Sequence, residues 1–131
     1  MHKFFLKTAF VFAATAVMLG AFGAHGLKKI ISESFLQIFE TGVRYQMYHA
    51  VGLMIAAILF KELNQKRVQM ACWLFIDGII LFSGSLYILA ITEGKYPFIG
   101  AFTPIGGVCF VIGWLMLFFS VGKNPVSELK K

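Results

Sequence analysis

The sequence predicts an all-α polytopic membrane protein, folded as an antiparallel four-helix transmembrane bundle. Three observations carry this. Apolar residues make up 59% of the 131-residue chain and charged ones only 14%, against roughly 45–50% apolar in soluble domains. The charges are segregated, gathering around Lys28-Lys29, Lys61–Arg67, Glu93–Lys95 and the two termini. The runs between them approach the ~20 residues that cross a bilayer. One domain is expected by length. The net charge of +6 is not a nucleic-acid footprint, because the basic residues sit where lipid head groups would be.

The first span is expected over about 4–24. Met1–Lys7 followed by an apolar run imitates a signal peptide, but a cut after Ala24 would leave Phe22 where a small residue is needed. The segment is therefore read as a retained span, with Lys7 reaching back to the interface. Ala9, Ala13, Ala16, Gly20 and Gly23 recur at steps of four and three, which puts small residues on one helix face for close packing. Gly23–Gly26 ends the helix and leaves His25 near the outer boundary.

Ser32 or Ser34 is the expected N-cap of the next helix. Glu33, Gln37, Glu40 and Arg44 then form a polar stripe. This predicts an amphipathic helix over about 32–44, lying on the outer interface and leading into span two, or else the top of one long helix. Span two is expected over about 43–60, with Gly42, Tyr45, His49 and Gly52 on a second close-packing face. A polar hairpin around Lys61–Arg67 leads to span three, about 68–91. Thr92–Pro97 is a turn. Span four is expected over about 103–121, with Thr103-Pro104 as N-cap and first helical residue and Gly106, Cys109 and Gly113 as its small face.

Sidedness follows from basic residues in short loops. With the N-terminus inside, the inner segments hold Lys3, Lys7, Lys61, Lys66, Arg67, Lys123, Lys130 and Lys131. The outer ones hold Lys28, Lys29, Arg44 and Lys95. Both termini are expected in the cytoplasm, and the bacterial plasma membrane is the expected location. Cys72 and Cys109 lie at different depths in apolar runs and are read as small apolar filler.

Four blocks, Leu19–Gly26 (LGAFGAHG), Thr41–His49 (TGVRYQMYH), Leu81–Tyr87 (LFSGSLY) and Thr103–Gly107 (TPIGG), together with Gly113-Trp114, resemble the family of small membrane proteins called domain of unknown function 423, which includes relatives of transmembrane protein 256. The resemblance covers nearly the whole chain. It implies four spans and a membrane location, and it implies no particular chemistry. Asp77 departs from the resembled pattern, in which that position is apolar or small.

Two features are candidates for function. His25, Tyr45, Gln46, His49, Ser83, Ser85, Tyr87 and Thr103 fall at similar depth and could form one polar cluster in the outer half of the bundle. Ionisable groups inside a membrane are functional hypotheses by default. The main expectation is structural: these groups bond across helices and fix the bundle, giving an assembly or membrane-stabilising protein. The alternatives are a small proton-coupled carrier, a haem or metal site through His25 and His49, and a serine–histidine nucleophile. No cofactor, metal site or catalytic residue is expected, since two histidines without HxxxH or CxxC spacing make a weak ligand set. The second feature is Asp77, the only acid inside an apolar run. Gly78, Leu81, Gly84 and Ser85 at helical spacing predict that it faces the bundle interior, either as a protonated carboxyl bonded to a carbonyl or as a proton site. The small-residue positions expected to pack helices are Ala13, Ala16, Gly20, Gly42, Gly52, Gly78, Gly84, Gly106 and Gly113. The expected partners are the bilayer and either a second copy or another membrane protein.

Overall fold

Five α-helices build four rods of membrane length. They are α1 (His2–His25), α2 (Glu33–Ile58), α3 (Gln65–Gly78), α4 (Gly84–Ile91) and α5 (Phe102–Ser120). A five-residue π-helical turn, Ile79–Ser83, joins α3 to α4, so that Gln65–Ile91 is one continuous span. The computed structural model describes residues 1–122; Lys123, Lys130 and Lys131, counted above for sidedness, lie outside them. Among the described residues there is no strand, and four helices are long and apolar enough to cross a membrane.

Neighbouring spans run antiparallel. Gly23 meets Phe39 and Gly20 meets Val43 across α1 and α2. Ser83 bonds the Gly42 carbonyl, and lower down Gly52 lies against Phe75. Gly106 meets Phe82, and Gly113 meets Phe75. Spans two and three form the inner pair; α1 packs chiefly on α2, and α5 chiefly on α3. The main core holds Phe5, Leu53, Val68, Cys72, Phe75 and Phe110, and a smaller one near the His25 end holds Leu27, Phe39 and Ala90.

The ends are made by local chemistry. Asn64 caps α3 by accepting the Arg67 amide at 3.2 Å, satisfying one of the orphan donors of a helix start. The same loop holds the end of α5. The Asn64 amide donates to the Ser120 carbonyl at 3.2 Å, and the Arg67 guanidinium donates to the Phe119 carbonyl. A cation on terminal carbonyls is favourable for the helix dipole. At the other end, Glu93 (φ 47°) and Gly94 (φ 74°) make the left-handed turn before Pro97.

Several expectations need correction. The segment 32–44 is not a separate interfacial helix, because Glu33–Ile58 is unbroken. Its polar stripe is the exposed face of a helix whose other face carries the buried Leu36, Phe39, Gly42 and Gln46. Arg44 bonds Thr41 at 3.1 Å. Span four does not begin with Thr103 as N-cap: a 3-10 turn, Pro97–Ala101, leads straight into α5, and the Thr103 hydroxyl is used elsewhere.

The small residues divide. Ala16 is buried and Ala13 half-buried; Gly20 makes an ordinary contact with Val43. Gly42, Gly52, Gly78, Gly106 and Gly113 each stand where an added Cβ would come within 3.0 Å or less of a neighbour. Gly84 does not, since nothing lies within 4 Å of its Cβ position. Replacing Gly84 with alanine is therefore expected to leave thermal stability unchanged or raise it, by up to about 1 kcal/mol from helix propensity. A loss of stability on melting would show that this face is packed.

Candidate functional site

Among the described residues the buried polar side chains are all hydrogen-bonded, and most of them bond across helices. Gln46 is the node. Buried on α2, it donates from Nε2 to the Phe12 carbonyl (2.9 Å) and to Thr15 Oγ1 (2.8 Å) on α1. Its Oε1 accepts the Tyr87 hydroxyl of α4 at 2.7 Å. One side chain thus ties three spans together. Beside it the Ser83 hydroxyl, fully buried, donates to the Gly42 carbonyl at 2.7 Å. This contact is open because glycine there lets the π turn and Tyr87 approach α2.

A second group joins spans three and four. Ser85 and Thr103 share a hydroxyl–hydroxyl bond of 2.6 Å, and Ser85 also donates to the Phe82 carbonyl at 2.9 Å. The third group is centred on His49. Its Nδ1 lies 2.8 Å from the Tyr45 carbonyl, and its Nε2 lies 3.1 Å from the indole N–H of Trp114. A carbonyl only accepts and an indole N–H only donates, so Nδ1 carries the proton and Nε2 accepts. The ring stacks on Phe110 with centroids 3.4 Å apart and planes 8° apart.

This arrangement speaks to the chemistry expected of the histidines. Both nitrogens of His49 are engaged inside the chain, and a metal would have to displace the Trp114 bond. His25 is exposed at the end of α1, two residues past Gly23, which meets Phe39. Phe39 and His49 are ten residues apart on α2, about 15 Å along the axis. The two histidines therefore do not share a site, and among the described residues no group of three or more His, Cys, Asp or Glu side chains could hold a metal. Tyr45 packs at a tilt against Phe82, centroids 4.6 Å apart, with its ring partly exposed. Six of the eight polar residues fall into three cross-helix groups, Tyr45 contributes only its carbonyl and its ring contacts, and His25 lies apart. Two members were not singled out from the sequence. Thr15 bonds its own helix carbonyls as well, as most membrane hydroxyls do, so nothing marked it. Trp114 is 65 residues from its partner, and no spacing rule reaches that far.

Asp77 corrects the reading that it faces the bundle interior. It is exposed on the outer face of α3, in a groove of about 360 Å³ lined by Lys66, Gln69, Met70, Trp73 and Leu74. It has no hydrogen bond or ion pair among the described residues. It lies about 18 Å along a helix that starts at one end of the bundle, near the middle of a ~30 Å hydrocarbon layer. An acid there costs about 2.5–3.5 kcal/mol on insertion scales.

The comparisons agree with the fold. Residues 19–107 match the family described as protein of unknown function (DUF423). The UPF0382 membrane protein YwdK of Bacillus subtilis (strain 168) is 49% identical over 88% of this chain and 93% of its own length. UPF0382 membrane protein SAB0533 of Staphylococcus aureus (strain bovine RF122 / ET3-1) is 46% identical over 92% of this chain and 97% of its own. UPF0382 membrane protein SSP2132 of Staphylococcus saprophyticus is 47% identical over 88% and 93%. No solved structure matches. The match takes in Gln46, His49, Ser83, Tyr87 and Thr103, and with 46–49% identity to several membrane proteins over most of its length it shows that this chain is a membrane protein of the DUF423 family.

Proposed function

We propose that this protein is a structural or assembly element of the plasma membrane, with both termini in the cytoplasm, and that it works as a fixed bundle and not as an enzyme, carrier or haem protein. One observation supports this above the rest. Among the described residues, every buried side-chain nitrogen and oxygen already has a hydrogen-bond partner. Groups that bind substrate, relay protons or ligate metal have to be free to change partners, and the Gln46, Ser83, Ser85 and His49 groups are committed to holding spans together. The imbalance of basic residues, eight against four, supports the cytoplasmic termini.

The test compares two substitutions in the purified full chain. His49→Ala removes the ring that stacks on Phe110 and accepts from Trp114, and is expected to lower the melting temperature by several degrees. Asp77→Asn is expected to leave melting unchanged, and proteoliposomes of either form to show no proton flux above empty vesicles. Proton flux that Asp77→Asn abolishes in a folded protein would overturn the reading, as would a haem absorption band or stoichiometric metal in the purified protein.

A further inference from the structure

Two exposed polar groups at the same depth of the membrane make no hydrogen bond among the described residues. One is Asp77. The other is Tyr48, on the outward face of α2, 58% exposed, whose hydroxyl has no hydrogen bond among the described residues. Their depths can be compared through the contacts between the two inner spans. Ser83 bonds Gly42, Tyr45 packs against Phe82, and Gly52 lies against Phe75. That register sets Tyr48 level with Gly78, next to Asp77. Lipid chains offer neither group a hydrogen bond.

We infer that the Asp77 face of span three docks, in the membrane, against the Tyr48 face of a second copy of this chain, the Tyr48 hydroxyl of one copy donating to the Asp77 carboxyl of the next. This names a partner for the assembly reading above and rests on it. The argument is complementarity. One face carries an unsatisfied acceptor and the other an unsatisfied donor. All copies share one orientation in the bilayer, so only groups at equal depth can meet, and these two do. The groove beside Asp77, walled by Trp73, Met70 and Leu74, receives the phenol ring.

The two faces lie on different sides of the bundle. Asp77 points away from α2, whose opposite contacts are made by Cys72, Phe75 and Ile76 in the core. Tyr48 shares its side of α2 with the exposed Arg44, Val51 and Ile55. The contact is therefore head to tail, and it closes into a ring or runs on as an open row according to the rotation between copies. A two-fold dimer would instead set Asp77 against Asp77.

The experiment uses the full chain in lipid bilayers, with Cys72 and Cys109 replaced by alanine. The double variant Tyr48→Cys/Asp77→Cys is oxidised and should give a ladder of cross-linked oligomers. Tyr48→Cys alone and Asp77→Cys alone should give none, and a mixture of the two single variants should give a dimer only. In parallel, self-association of the unmodified chain is followed by energy transfer between labelled copies at increasing dilution. Tyr48→Phe and Asp77→Leu should each weaken it about tenfold, without changing the melting of the monomer, whereas Asp77→Asn, which keeps an acceptor oxygen, should retain it. A monomeric wild-type chain, a cross-link from Asp77→Cys alone, or undiminished association of Asp77→Leu would each overturn the proposal. None of these results touches the structural reading, which falls only to flux or a bound cofactor.

Discussion

Replacing Gly106 with alanine is expected to destabilise the bundle by about 3 kcal/mol, while the same change one residue on, at Gly107, is expected to be nearly silent. The difference lies in what each new methyl would meet. A Cβ on Gly106 would fall 2.4 Å from the Phe82 backbone nitrogen, 2.8 Å from Phe82 Cβ and 2.9 Å from its Cα. These atoms belong to the π turn of span three and cannot swing aside as a side-chain tip would. Relief requires α5 to move away from span three. That would open the Ser85–Thr103 bond and the seats of Gly78 and Gly113, which lie against Phe110 and Phe75 on the same interface. Overpacking of a close interface typically costs 1–3 kcal/mol, with the upper end where backbone must shift. At Gly107 the nearest atoms are the Phe82 ring carbons at 3.7 and 3.8 Å, an ordinary contact. Thermal unfolding of the two variants in the same detergent checks the pair, and equal melting temperatures would mean that spans three and four are not in this contact.

That interface also shows how far the sequence could be read. The four spans were legible because bilayer length and charge segregation are properties of composition along a line. Most of the close-packing glycines were legible because α-helical spacing puts Gly106 and Gly113, or Gly42 and Gly52, on one side. The same spacing failed for Asp77 and Gly84. It assumed an unbroken α-helix from Trp73 to Ile91, but the π turn at Ile79–Ser83 fits an extra residue into a turn. Residues above and below it no longer share the face that simple periodicity assigns. Gly78 and Ser85 point inward, whereas Asp77 and the open side of Gly84 point out. The candidate site was legible in membership and not in connection. Tyr87, Gln46, Ser83, Ser85 and Thr103 were named, but depth alone grouped them with His25. Their true partners, each other, Thr15 and the main-chain carbonyls of Phe12, Gly42 and Phe82, depend on how the helices are rotated. No feature within a single span fixes that rotation.

The second large effect is expected at Gln46, and it tests whether the polar groups act as one network. Gln46→Leu keeps the size of the side chain but removes three cross-helix hydrogen bonds, to the Phe12 carbonyl, Thr15 and Tyr87. Interhelical hydrogen bonds in membranes average about 0.6 kcal/mol each, so the loss should be about 2 kcal/mol. Thr15 keeps its own-helix acceptors at Val11 and Phe12 and suffers little. Tyr87 is different, since its ring is held against Phe39 with centroids 4.9 Å apart and its hydroxyl would be stranded against leucine. Tyr87→Phe removes that hydroxyl, and alone it leaves Gln46 Oε1 without its donor. In the double variant neither orphan remains. The two changes together should therefore cost about 1 kcal/mol less than the sum of the single costs, as coupled neighbours do. The four melting free energies measure this directly. Strict additivity would mean that Tyr87 and Gln46 do not bond in the membrane, and the joining of three spans through one amide would go with it.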